Sequence, residues 1–373
     1  MTDKHLHIVA FDLPYPPNYG GSTDMYYKVL SMKELGVKIT LHVFLYGGKS
    51  PAKELEVVAD KVYYYPRKRR NPFAGSWPYI VRTRKSALLL KRLMSDDSPI
   101  LFEGLHTTYY CNSPQLINRV RVVRAHNVEH NYYEALALAE ENIVKTLFFK
   151  REAKRLRDYE KMLKQVNGVA GISPMETRYL QGEYGNAEYI PAFHSNEEMI
   201  CKTGKGDYVL YHGNLSVPEN NRAALFLVTE VFSRLSIPCY VAGSRPSQTL
   251  QETIKRYPNI KLVANVSADE ILKLIQDAHI NVMVTFQSTG IKLKLLNSLY
   301  RGRFVVANKE MVDETGLDTL VHLGQTPAEL VQQIQRVMNI EFTEDLLDYR
   351  KQVLGSTFNN QLNARKLLNM LGL

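Results

Sequence analysis

Twice along this chain a strand-like apolar run ends in a glycine-bearing loop, gives way to a helix, and is followed by further strand-like runs. The first passage starts with Leu6-His-Ile-Val-Ala-Phe11 and turns through Asp12-Leu-Pro-Tyr-Pro-Pro-Asn-Tyr-Gly-Gly21. It then enters a helix that Ser22 can cap and Gly36 can end, and reaches the run Lys38 to Leu45. Further strands are predicted at Val62 to Tyr65, Ile100 to Glu103, Val120 to Ala125 and Gly168 to Ile172, with charged helices between them, the longest from about Glu134 to Val166. The second passage starts at Tyr208-Val-Leu-Tyr-His212 and Gly213. Pro218 then opens a helix with Ala223, Leu227, Val231 and Leu235 at helical spacing. Strands follow at Cys239 to Ala242, Lys261 to Val263, Ile280 to Thr285 and Phe304 to Ala307. Strands alternating with helices demand a parallel α/β sheet, because parallel neighbours need a crossover between them.

The restart divides the chain. With 373 residues there is room for two domains at roughly 150 residues each. The stretch Pro191 to Gly206 lacks apolar periodicity and is placed as a hinge. The expected organisation is a first Rossmann-like domain over 1–192, a second over 207–342, and a helical segment over 343–373 packing back towards the first. The two parallel sheets are expected to face a cleft.

Composition narrows the partners. Apolar residues make up 45% of the chain, enough for two cores, yet runs such as Ile280 to Phe286 fall far short of the ~20 residues that cross a bilayer. The N-terminus goes directly into a strand, so a cytoplasmic protein is expected. Cys111, Cys201 and Cys239 lack metal-ligand spacing and read as buried thiols. The net charge of +9 favours a polyanionic partner: nucleic acid, an anionic membrane or a phosphorylated small molecule.

Two loops carry the chemistry. Gly20 and Gly21 stand between a strand and a helix, where backbone N–H groups and the helix dipole suit an anion; a tight turn needing positive φ would use the same residues. In the second domain, Gln287-Ser-Thr-Gly-Ile-Lys-Leu-Lys leads from a strand into a helix. Free N–H groups beneath a lysine form a seat for a diphosphate. Lys292 and Lys294, two residues apart on a helix, would point to nearly opposite sides, so only one can face a ligand. An ordinary solvated lysine pair is the bland alternative.

At these residues the chain resembles glycosyltransferase family 4 and its GT-B relatives over nearly its whole length. Pro14 to Ser22 is similar to the acceptor-side glycine loop, and Arg124-Ala-His-Asn-Val-Glu-His130 to an element that follows a central strand. Gly171-Ile-Ser173, with Pro174 and Glu176, resembles the step before the hinge. Tyr211 to Asn221 and Val241-Ala-Gly-Ser244 resemble the first two strand ends of the donor domain, and Thr289 to Ser298 the segment that binds the donor diphosphate. The resemblance implies a GT-B fold and retaining transfer of a sugar from a nucleoside diphosphate, with neither a metal nor a further cofactor. Lys294 would then neutralise the leaving diphosphate and His126 would contact the donor sugar or position the acceptor. Donor contacts would come from Gly20, Gly21, Gly213, Asn214, Gly243, Val266, Ser288, Thr289, Gly290, Ile291 and Asn297. Family members commonly carry glutamates where Asn297 and Thr289 stand. Their loss keeps open a non-catalytic partner subunit of a glycan assembly complex. A nucleotide-sugar epimerase would draw on Glu103, Glu129 and His126.

The resemblance also implies a glycan or lipid-linked acceptor in cell-surface polysaccharide synthesis. Arg67-Lys-Arg-Arg70, Arg82, Arg84, Lys85, Lys91 and Arg92, interleaved with Phe73, Trp77 and Leu88 to Leu90, suit an anionic membrane surface at the inner face. The same charges could belong to a solvated loop and helix. No nucleic-acid module is recognisable, so nucleic acid is not expected as a partner.

Overall fold

The computed structural model describes residues 4–286 and 292–373. The chain divides into two compact units, one formed by Met1–Ser195 with Phe358–Leu373, the other by Asn196–Thr357.

The first unit holds a seven-stranded sheet in the order β3-β2-β1-β4-β5-β6-β7, built from β1 (His5–Ala10), β2 (Lys38–Leu45), β3 (Lys61–Pro66), β4 (Ile100–Glu103), β5 (Arg121–Ala125), β6 (Gly168–Gly171) and β7 (Ala187–Tyr189). All neighbours run parallel. A parallel sheet is covered by helices on both faces, which is why strands such as Ile100–Glu103 are buried at every residue. From β1 the chain moves outward to β2 and β3, then returns to lay β4 on the other side of β1. The loops after β1 and β4 therefore diverge and leave a crevice at the carboxyl ends of the strands.

The second unit repeats the device with six parallel strands in the order β10-β9-β8-β11-β12-β13: β8 (Val209–His212), β9 (Cys239–Gly243), β10 (Ile260–Ala264), β11 (Ile280–Met283), β12 (Phe304–Ala307) and β13 (His322–Leu323). Here the order reverses between β8 and β11, so the loops after those two strands line the crevice.

Several elements depart from the sequence expectation for local reasons. The long helix expected from Glu134 begins earlier and is broken, giving Glu129–Ala139 and Ile143–Glu160. Asn142 caps the second piece by accepting from the Lys145 N–H at 3.1 Å, and its own N–H donates to the Glu140 carboxylate. The helix opening at Pro218 runs to Phe226, widens into a π turn over Leu227–Val231 and tightens into a 3₁₀ turn over Phe232–Arg234. The Thr229 and Ser233 hydroxyls donate to the carbonyls of Leu225 and Thr229 along that stretch and compete with the regular ladder. Strand β11 stops at Met283, because the backbone of Thr285 pairs instead with the side-chain amide of Asn308. The short edge strands β7 and β13 carry no sequence pattern long enough to announce them.

The tail is shared. Helix Glu344–Thr357 belongs to the second unit, where the buried Arg350 donates to the carbonyls of Leu299 and Gly302. Helix Asn360–Met370 belongs to the first, and its Ala364, Leu367 and Leu368 join the core formed by Met25, Val29 and Met32 of helix Gly20–Glu34.

Candidate active site

In the first unit the carboxyl ends of β1, β4 and β5 gather His106, His126 and Glu129 around Phe11. The Phe11 ring lies 4.9 Å from that of His106, stacked, and 5.1 Å from that of His126, edge-on. Gly20 and Gly21 form the first turn of helix Gly20–Glu34. A Cβ on Gly21 would stand 3.0 Å from the Tyr19 ring and 3.1 Å from Phe11, so close packing of the turn alone accounts for a glycine there. The loop is fastened by Asp12, which accepts from the Tyr19 hydroxyl at 2.7 Å and from Lys49 at 2.6 Å.

Beneath this floor lies a sealed charge network. Lys28 donates to Asp24 at 2.8 Å and to Glu103 at 2.9 Å, while Arg124 binds Asp24 at 2.8 Å and the carbonyls of Ile190 and Pro191. All four side chains are fully buried. Burial by itself would raise Asp24 and Glu103, but Arg124 and Lys28 outweigh it for Asp24, and Lys28 with His126 for Glu103, so both carboxyls sit below their ordinary range. His126 completes the chain, its Nε2 lying 2.9 Å from Glu103. Nε2–H donates to that carboxylate, and Nδ1 is buried without a partner among the described residues. Asp24, Glu103 and His126 are close enough to hold a metal ion, but Lys28 and Arg124 already supply the cationic charge those carboxylates need.

Beside His126 stands Glu129. Burial, then the carboxylates of Glu160 and Glu176, push its carboxyl up to about 8, so it carries a proton at neutral pH. Its Oε1 has no hydrogen-bond partner among the described residues and lies 3.7 Å from Nδ1 of His106, which is likewise without one. Among the described residues three buried polar atoms, one each on His106, His126 and Glu129, are thus unsatisfied after β4 and β5, an arrangement that costs stability unless a ligand completes it. Glu129 also makes a stability prediction. The native state holds a proton that the unfolded chain releases above about pH 4.5, so stability falls by about 1.4 kcal/mol per pH unit from there to about 8. Glu129→Gln is expected to flatten that slope, so that thermal unfolding of the variant at pH 8 matches or exceeds that of the wild type. An unchanged slope would mean that Glu129 is ionised.

In the second unit the turns after β8 and β9 meet. Gly213 N–H donates to the Ala242 carbonyl at 3.0 Å, and a Cβ on Gly243 would collide with the Gly213 carbonyl oxygen. Gly243 therefore serves a close backbone approach, whereas a Cβ on Gly213 would only touch the Asn220 side chain. Asn214 ties the same corner, accepting from Ser216 and Ser244. Val266 follows β10, half-buried, just before the helix Ala268–Asp277.

Lys294, in the first turn of helix Leu293–Arg301, reaches Asn220 at 2.6 Å and lies 5.8 Å from the centre of the Tyr211 ring. Burial, with Lys292 adding to it, lowers it to about 8 against the pull of Glu219. Among the described residues it makes no ion pair. Lys292 stands at the N-cap of that helix, and the charge of Glu219 acts on both lysines. Glu219 itself accepts from the Thr285 hydroxyl, and Arg222 lies 4.4 Å over the Phe286 ring. Asn297 accepts from Asn196 at 2.8 Å, and Asn196 in turn accepts from Arg301 at 3.0 Å. Ser288, Thr289, Gly290 and Ile291 lie outside the described residues.

Sequence reasoning passed over Glu219 and Asn220, although Pro218 directly before them signals a helix start facing the strand ends. His106 offered no motif at all. The basic patch is narrower than the sequence implied. Arg84 is buried and donates to the carbonyls of Phe11 and Ile80, Arg82 donates to those of Trp77 and Asn71, and Arg92 stacks 3.8 Å over Tyr63. Lys68, Arg69, Arg70, Lys85 and Lys91 remain exposed.

Comparison with known proteins bears on the fold. The family of glycosyl transferases group 1 matches residues 206–339. An uncharacterized 44.6 kDa protein in the cps region of Klebsiella pneumoniae is 24% identical, with 93% of this chain and 91% of that protein covered. Among solved structures, TarM superposes with a TM-score of 0.66 at 13% identity, covering 100% of this chain and 99% of that one. A mutant of S. aureus TarM has been solved in complex with fondaparinux, alpha-GlcNAc-glycerol and UDP. A glycosyltransferase of Rickettsia africae gives 0.61 at 14% identity over 100% and 98%. The fold is GT-B, and residues 206–339 are similar to the glycosyl transferases of group 1.

Proposed function

We propose that the protein transfers a sugar from a nucleoside-diphosphate donor to a glycan or lipid-linked acceptor in cell-surface polysaccharide synthesis. The observation that carries this reading is Lys294: a buried ammonium with no ion pair among the described residues, at the crevice between β8 and β11. A buried cation that among the described residues is held by one amide oxygen is costly alone and well matched to a diphosphate. As the bond from the anomeric carbon to the diphosphate oxygen breaks, the electron pair stays on the diphosphate. Lys294 stabilises that charge, and the acceptor oxygen bonds to the carbon as its O–H proton passes to the released diphosphate oxygen. Retention at that carbon and independence from metal are part of the proposal and rest on the family resemblance. His126, oriented by Glu103, is proposed to receive a hydroxyl of the acceptor or donor sugar at Nδ1. Gly213, Gly243, Val266 and the segment Ser288 to Ile291 are proposed to take the donor, at the inner face of the membrane.

A second reading is favoured by Asn297. Its carbonyl is engaged by Asn196, and a carboxylate common at that position in the family is missing. The chain would then be a non-catalytic partner in an assembly complex. A thermal-shift panel of nucleoside diphosphates and nucleotide sugars separates the two. Binding to the native state at a hundredfold excess over Kd adds about 2.7 kcal/mol of apparent stability. A shift with one base, accompanied by sugar transfer, is expected; no shift with any member would favour the partner subunit.

A further inference from the structure

On the first unit two recesses adjoin. One, of about 530 Å³, is lined by Trp77, Tyr109, Tyr110 and Tyr159 with Asn112 and Ser113. The other, of about 570 Å³, is lined by Lys150, Arg151, Lys154 and Arg155 with Gly75 and Ser76. Asp158 forms part of both walls, and the loop Gly75 to Trp77 passes from one to the other.

The aromatic recess is a built feature. Trp77 is 42% exposed, yet its ring is fixed at 5.0 Å from Tyr109 and 5.3 Å from Tyr159, and Tyr110 packs edge-on against Tyr109. The loop that presents it is clamped from below. Arg155, buried and paired with Glu152, donates to the carbonyls of Pro72, Phe73, Ala74 and Gly75, while Arg82 donates to the Trp77 carbonyl. Holding an indole half in water on so rigid a support wastes its apolar surface unless something covers it. The polar groups around it are planar amides and hydroxyls: Asn112, which donates to Gln165 at 2.9 Å, and Ser113, whose hydroxyl is buried with no partner among the described residues. In the second recess Lys150, Arg151 and Lys154 are exposed and make no ion pair among the described residues. One anion, Asp158, stands between the recesses and is neutralised by Lys161 at 3.3 Å.

Flat rings beside amide and hydroxyl groups recognise the C–H face and the hydroxyl edge of a sugar, and a cationic groove one residue away recognises its acidic substituent. We propose that these recesses form a binding site for an acidic oligosaccharide, one sugar ring lying on Trp77 and Tyr109 and a carboxylate of the next in the groove of Lys150, Arg151 and Lys154. The volume suits a small ligand, and the site needs no residue of the proposed transfer reaction.

Trp77 is the sole tryptophan of the chain, so its emission reports this site directly. The whole protein, without nucleotide, would be titrated with tetragalacturonate, a hyaluronan tetrasaccharide and neutral maltotetraose. Saturable quenching or a shift of emission is expected with at least one acidic probe, at a Kd on the order of 10 μM to 1 mM. Binding should be at least tenfold weaker for maltotetraose. The exposed-site variant Lys150→Glu/Arg151→Glu/Lys154→Glu should lose at least tenfold for the acidic probe at unchanged thermal stability. No change of emission with any probe overturns the proposal, as does acidic binding that the charge variant leaves untouched. Because no nucleotide is present, failure here leaves the donor reading standing, and failure of the nucleotide panel leaves this one standing.

Discussion

Lys294→Met is expected to abolish sugar transfer by two to three orders of magnitude while leaving the protein at least as stable at pH 7. The two halves of this outcome share one cause. An ammonium buried against Tyr211 and Asn220 is held at about 8, whereas in the unfolded chain it titrates near 10.5. Between those values the unfolded state binds the extra proton, so wild-type stability rises with pH through that window, and at pH 7 the native state carries the full cost of the buried charge. Methionine fills the same volume without it. The developing diphosphate charge, by contrast, loses a cation in a water-poor setting, where one such donor contributes roughly 3–4 kcal/mol. Turnover and thermal unfolding measured on the same preparation test this directly. Near-normal turnover would remove Lys294 from the reaction, and a large fall in stability would show that it serves the fold.

Lys28→Met should act in the opposite way, chiefly on folding of the first unit. Asp24 and Glu103 would be left with Arg124 as their only fully buried cation. Removing one partner from a buried ionic network costs about 3–5 kcal/mol, since the stranded charge cannot regain water. The double variant Lys28→Met/Glu103→Gln should recover much of that loss. Acid provides an independent check. Deprived of Lys28, Glu103 takes up a proton more readily, so the gap between variant and wild type should narrow as pH falls from 7 towards 4. Unfolding curves of the three proteins at the two pH values suffice. A gap that stays constant with pH would mean that packing of the Lys28 stem outweighs its charge.

The alternation of apolar runs made both sheets legible, because parallel strands buried on two faces leave a continuous apolar signature. Lys38–Leu45 and Phe304–Ala307 fall where the sequence puts them. What eluded the sequence was decided by side chains meeting across long separations. Arg84 reads as a surface cation beside Lys85, yet its guanidinium finds the Phe11 carbonyl 73 positions away. Asn297 reads as a donor contact, and the hydrogen bond it accepts from Asn196 comes from 101 positions away. The break between the helices Glu129–Ala139 and Ile143–Glu160 was written locally, in the cap of Asn142, but charged residues of good helix propensity on both sides concealed it. Of the candidate site, Lys294, His126 and the glycines follow from strand ends and helix starts. His106 and the protonated state of Glu129 follow only from three dimensions, since burial and the neighbouring Glu160 and Glu176 create them.

Helix Asn360–Met370 fills part of the core beneath helix Gly20–Glu34, and this bears on how the chain matures during translation. A ribosome releases the first 195 residues long before the last sixteen, so the earliest unit to emerge waits for the latest segment to be made. Until then Met25, Val29 and Met32 lack their cover, and the nascent unit exposes an apolar strip for the whole time the second unit is being synthesised. A stop codon a few turns early would therefore strike the N-terminal unit, at the opposite end of the message.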